Sequence, residues 1–138
     1  MTNAELIREA EKARERSYSP YSGFRVGAAL LTGSGKIYHG CNIENAAYSP
    51  SNCAERTAFF KAVSEGELEF EKIAIVGAPA GAGPDTPCAP CGVCRQVMME
   101  FCDPEAFRIV LANGGEEPLE ISLKELLPLG FGGKNLEK

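Results

Sequence analysis

Three cysteines in two short stretches constrain this chain more than any other feature. Cys53 opens the run Cys53-Ala54-Glu55, and Cys91 and Cys94 lie in Pro90-Cys91-Gly92-Val93-Cys94. Each stretch begins a helix-forming run, so a fold that uses both must bring two helix N-termini to one point. A Cys-x-x-Cys turn lets two sulfurs reach one ion at about 2.3 Å, and Cys53 completes a tripod with a fourth position open. A zinc ion held this way would bind water and lower its pKa from about 15.7 towards neutrality. Three thiolates on a divalent ion leave net negative charge. The two helix N-termini would offset it, and Arg56 is placed to donate to a ligand sulfur. Glu55, two residues from a ligand and itself uncoordinated, is placed to take a proton from the bound water and pass it on.

Cys53-Ala54-Glu55 alone says little, since a first-turn Glu and a buried Cys are both ordinary, whereas a Cys-x-x-Cys in an intracellular protein usually marks metal or redox chemistry. A lone Cys-x-x-Cys also serves redox chemistry, but that motif follows a strand directly in a βαβ unit. Here it closes a long loop, residues 78–90, that contains four prolines. The combination of the two stretches, in the order helix, strand, loop, helix, carries the metal reading.

Composition narrows the class. At 138 residues the chain has single-domain size, and residues 1–138 read as one unit. Its formal net charge is −5, with Lys and Arg scattered rather than gathered into a stripe, which argues against nucleic acid as partner. Residues 1–16 are too charged for a signal peptide, and no apolar run approaches the roughly 18 residues a membrane span needs. A cytoplasmic protein with no membrane partner is expected. Six cysteines fall well below the roughly 8–10% density of a disulfide scaffold, and the crowding of three between Cys88 and Cys94 suggests metal.

Thr2 and Glu5 form a capping-box pattern opening a helix, with Leu6, Ile7, Ala10 and Ala13 near one face and an end near Ser17. Pro20 and Gly23 break the pattern. Residues 24–31 read as a buried strand, 36–43 as its hairpin partner and 44–52 as loop. A helix is predicted over 53–65, with Ser51 or Asn52 as cap, Cys53 in the first turn and Gly66 as the stop. Then come a strand at 73–77, the loop 78–90, a helix at 93–101, strands at 107–112 and 119–122, a short helix at 123–127 and a glycine-rich, partly mobile tail at 130–138. The alternation favours an α/β fold, one sheet with helices on its faces and no second-domain linker.

At this point the sequence resembles the cytidine deaminase family over nearly its whole length. The matching stretches are Phe24-Arg25-Val26-Gly27-Ala28-Ala29-Leu30, Asn42-Ile43-Glu44-Asn45-Ala46, Cys53-Ala54-Glu55-Arg56 and Pro90-Cys91-Gly92-Val93-Cys94-Arg95-Gln96. Leu126-Leu127-Pro128 followed by Phe131 matches as well. The resemblance implies a three-layer αβα sandwich with a central mixed sheet of about five strands, assembled as a homotetramer, with one zinc per chain on Cys53, Cys91 and Cys94. Glu55 would be the catalytic proton shuttle and Arg56 would support the ligands. The backbone around Ala54 and Pro90 would read the pyrimidine's polar edge, and Asn42 and Glu44 would hold the sugar. Phe24 would stack beside the base, while Tyr48 and Phe131 would line the pocket from adjacent subunits. The implied reaction is hydrolytic deamination of free cytidine and deoxycytidine in pyrimidine salvage, giving uridine or deoxyuridine and ammonia.

Asn42 and Glu44 also admit a plainer reading as a loop-stabilising pair. His39, the one histidine, falls in a predicted strand and reads as structural. The chain departs from the family at Cys88, which creates a second, overlapping Cys-x-x-Cys with Cys91. Three rivals follow: a deaminase for a blasticidin-type nucleoside antibiotic, a nucleic-acid editing deaminase disfavoured by the acidic balance, and a structural zinc module with Cys88 as fourth thiolate.

Overall fold

The structure, a computed structural model, describes residues 1–137; Lys138, the end of the predicted tail, lies outside them. Helix α1 (Asn3–Arg14) begins with the expected capping box. The Thr2 hydroxyl accepts from the Glu5 amide at 3.1 Å, and the Glu5 carboxylate accepts from the Thr2 amide at 3.0 Å. The helix stops before Ser17 because the amides of Arg16 and Ser17 bond three residues back, to Ala13 and Arg14, tightening the last turn. Arg14 then ties α1 to the chain beyond, donating to the carbonyls of Arg25, Ala78, Pro79 and Ala82 at 3.0–3.1 Å.

Strands β1 (Phe24–Thr32), β2 (Ile37–Cys41), β3 (Phe70–Pro79), β4 (Arg108–Leu111) and β5 (Leu119–Ser122) form one sheet in the order β2-β1-β3-β4-β5. All pairs are antiparallel except β3 with β4, so the sheet is mixed. β3 is twice the length of the predicted strand, because it pairs with β1 from Phe24↔Pro79 to Thr32↔Phe70. Its charged residues Glu71 and Lys72 hide the first half from a hydrophobic pattern.

Alternation along the central strands assigns the layers. Ala29, Leu31, Ala74, Val76 and Val110 face Leu6, Ile7 and Ala10 of α1. On the opposite face, Ala28, Leu30, Ile73, Ile75 and Ile109 meet α2 (Ala54–Ser64), α3 (Gly92–Phe101) and α4 (Leu123–Leu126) through Ala58, Phe59, Met98 and Leu123. The result is the expected αβα sandwich with five strands. A 3-10 turn, Gly133–Leu136, follows in the tail.

One close approach sets the height of α2 over the sheet. A Cβ on Gly40 of β2 would lie 2.2 Å from the Ala54 carbonyl oxygen and 2.6 Å from the Ala58 nitrogen, both rigid backbone. Only glycine lets the first turn of α2 descend this far. Gly40→Ala is therefore expected to lower stability by about 1–3 kcal/mol through overpacking. A fall in the urea midpoint at unchanged slope would show it.

Candidate metal centre and cavity

Cys53 and Cys91 are the N-cap residues of α2 and α3, each extended, at φ −77°, ψ 156° and φ −68°, ψ 168°. The sequence reading put the cap of α2 at Ser51 or Asn52 and Cys53 within the first turn. Asn52 instead exchanges two 2.9 Å backbone hydrogen bonds with Ile43, which holds it extended and delays the helix by one residue. Neither cysteine caps its helix with its side chain, so both sulfurs are free to point at a common centre. Cys94, in the first turn of α3, is buried beside them.

The Cys53 and Cys91 sulfurs lie 3.6 Å apart, and all three sulfurs fall within 4.8 Å of one another. A tetrahedral zinc with bonds of about 2.3 Å separates its sulfurs by about 3.8 Å, so the donor set and its spacing fit one zinc per chain. Cys88 is outside the cluster. His39 is elsewhere, its Nε2 2.9 Å from a carboxylate oxygen of Glu9, which accords with a structural role. Cys41 and Cys102 also stand apart; burial raises both thiols, that of Cys102 to about 12.

Electrostatics prepare Cys53 as a ligand. A hydrogen bond from Cys94 holds the Cys53 thiol down at about 5 against the cost of burial, and Arg56 adds to the effect with Nη2 3.3 Å from the sulfur. The same hydrogen bond and burial raise Cys94. Among the described residues, Arg56 Nε is buried with no hydrogen-bond partner. Glu55 is 4% exposed, and burial pushes its carboxyl up to about 7, with the Cys53 charge adding to the rise. A divalent cation at the cluster acts in the opposite sense and draws it down. Burial and the cation thus act on this carboxyl in opposite directions, and a proton carrier works best where its pKa lies near the working pH.

Beside the cluster opens a cavity of about 350 Å³, lined by Cys53, Cys91, Glu55, Asn42, Glu44 and Cys88 among others. It is within the usual range for a small-molecule site. Of the sequence-predicted residues the structure brings Asn42, Glu44, Ala54, Glu55, Arg56, Cys53 and Cys91 to its wall. Asn42 is also a brace: its Oδ1 accepts from the Val26 amide at 2.9 Å and from the Ser17 hydroxyl, and its Nδ2 donates to the Phe24 carbonyl at 2.8 Å. Glu44 likewise accepts from the amides of Tyr21 and Ser22 and from the Ser22 hydroxyl; that hydroxyl leads in lowering its carboxyl. The loop-stabilising reading of this pair is thus realised together with its placement in the cavity.

Phe24, Tyr48, Pro90 and Phe131 are not on the cavity wall. Phe24, in β1, lies near the cavity residue Cys88, since Phe24 Cε1 and Cys88 Sγ would be 3.0 and 2.7 Å from a Cβ on Gly77. The Pro90 carbonyl accepts from Arg95 Nε at 2.8 Å, and Arg95 also donates to the Leu126 carbonyl at 2.7 Å, fastening the metal loop to α4. Tyr48 has φ +60°, is 74% exposed and stands edge-on to Tyr21 at 6.5 Å. Phe131 is likewise exposed. Sequence reasoning passed over Arg95 as a staple and Ser17 as the partner of Asn42. Both bridge segments far apart in the chain, which no local pattern reveals.

A mixed sheet that brings two helix N-termini to a three-thiolate centre, with a buried acid beside an open cavity, is the framework of a zinc-dependent enzyme. A family profile described as "Cytidine and deoxycytidylate deaminase zinc-binding region" matches residues 1–110. The chain belongs to that family. It is 52% identical over 131 residues to a cytidine deaminase of Sporosarcina psychrophila, covering 95% of this chain and 92% of that one. The crystal structure of cytidine deaminase from Burkholderia pseudomallei superposes with a TM-score of 0.84 at 50% identity, covering 95% of this chain and all of that one. A more distant relative, blasticidin-S deaminase of Bacillus cereus, is 32% identical over 109 residues, 77% of this chain and 76% of that one.

Proposed function

We propose that residues 1–138 form one enzyme unit that hydrolytically deaminates free cytidine and deoxycytidine, as a cytoplasmic step of pyrimidine salvage. The observation that carries this is the buried Glu55 carboxyl beside the three-cysteine cluster, both opening on one nucleoside-sized cavity. High identity to cytidine deaminases over most of the chain supports the substrate.

Cys53, Cys91 and Cys94 would hold the zinc, which when bound supplies Lewis-acid activation of water at neutral pH. The two helix N-termini and Arg56 offset the thiolate charge. Glu55 accepts a proton from the attacking water, delivers it to the ring nitrogen beside the amine-bearing carbon, then carries a second proton to the departing amine. Water adds and ammonia leaves, so the ring ends as a uracil. Burial supports this role, because it removes the solvent that would otherwise compete for the proton.

Asn42 and Glu44 bind the sugar. Their existing hydrogen bonds support that role by fixing both side chains before a substrate arrives, and Asn42 retains one N–H for a hydroxyl. The backbone of Ala54 and Pro90 meets the polar edge of the ring, with Phe24 beside the base. Tyr48 and Phe131, exposed in the single chain, act in the site of a neighbouring copy, and the working assembly is a homotetramer. Light scattering on active enzyme is expected to give four chains; monomer at full activity would remove both aromatics from the site.

The experiment for substrate is a side-by-side assay of ammonia release from cytidine, deoxycytidine and blasticidin S. Release from the nucleosides is expected. Release from the antibiotic alone would overturn the reading.

A further inference from the structure

The proposed reaction gives no part to the thiol of Cys88. Cys88 lines the same cavity as Cys53, Cys91 and Glu55, yet its sulfur stays outside the metal cluster. A Cβ built on Gly77 of β3 would fall 2.7 Å from Cys88 Sγ and 3.0 Å from Cε1 of Phe24. Gly77 is therefore the floor on which the thiol and the Phe24 ring lie side by side. Cys88 thus links the cavity wall, which it lines with Cys53, Cys91 and Glu55, to Phe24 of β1.

Accepting the nucleoside reading above, the orientation of the ring is constrained at both ends. The amine-bearing carbon faces the cysteines and Glu55, and the sugar bond faces Asn42 and Glu44. One flank of the ring then carries a nitrogen and a carbonyl oxygen, which need hydrogen-bond partners when buried. The other carries only the C5 and C6 hydrogens. A cysteine thiol is a small, weakly bonding, largely apolar group, suited to the second flank and poorly suited to the first.

We infer that Cys88 faces the C5–C6 edge of the pyrimidine and, with Gly77 behind it, sets how large a C5 substituent the enzyme accepts. It is a specificity-determining residue rather than a ligand. One carbon more or less in an apolar pocket changes discrimination by about 10–200-fold, so the effect is measurable.

The test uses binding, so it does not depend on turnover. Affinities of zinc-loaded wild type, Cys88→Ala and Cys88→Leu for uridine and 5-methyluridine are measured by calorimetry, with zinc content and cytidine turnover recorded in parallel. Cys88→Ala is expected to shift the ratio of the two affinities towards 5-methyluridine by about tenfold, and Cys88→Leu to shift it by a similar factor the other way. An unchanged ratio in Cys88→Ala overturns the inference, as does an equal loss of affinity for both nucleosides, which marks a merely structural residue. If Cys88→Leu does not fold, the alanine variant decides. Uridine binding without cytidine turnover would contradict the proposed reaction and still leave the ratio readable, whereas binding of neither nucleoside would contradict both.

Discussion

Glu55→Gln is expected to keep its zinc and its fold while losing about 10²–10⁴-fold in kcat, the contribution of a positioned proton carrier. The amide has the shape of the carboxyl but can neither accept the proton of the attacking water nor hand one on. Glutamine is also neutral, and burial already favours a neutral group at this position, so stability should not suffer. The measurement pairs elemental analysis with single-turnover kinetics on cytidine. A zinc-replete variant with near-normal turnover would remove Glu55 from the chemistry.

The second large effect separates the ligands from their neighbour. Cys91→Ala and Cys94→Ala are expected to lose zinc and activity together, since each leaves two thiolates where the cluster has three. Cys88→Ala is expected to keep one zinc per chain, because its sulfur is not part of the cluster. A closed structural site of four thiolates predicts comparable weakening in all three variants. Loss of zinc from Cys88→Ala with retention in Cys94→Ala would move the ligand pair to the overlapping motif.

Much of this architecture is legible in the residues. The Thr2–Glu5 capping box, the alternating central strands and the two cysteine stretches all signal locally, because caps, strand faces and Cys-x-x-Cys turns are short-range features. What stays hidden depends on distant partners. The start of β3 carries Glu71 and Lys72 and becomes strand only through its ladder with β1. Cys53 becomes an N-cap because Ile43 captures Asn52. The closeness of α2 to the sheet is set by Gly40, whose need for a missing side chain appears only once Ala54 lies over it. In the site, residue types and spacing pointed to the cluster and to Glu55, which belong to two helix starts. The bracing of Asn42 by Ser17 and Val26, and the seat of Cys88 on Gly77, arise where separate strands and loops meet.

Deamination of cytidine is expected to depend on zinc at the Cys53, Cys91 and Cys94 cluster beside the buried Glu55. Incubating folded, zinc-replete protein with cytidine tests it most directly, following ammonia and uridine together and repeating the assay after chelation and zinc restoration. Equal amounts of the two products are expected, with loss of both on chelation and recovery with zinc. Absence of ammonia from the zinc-replete protein, or its undiminished release from the zinc-free one, would contradict this.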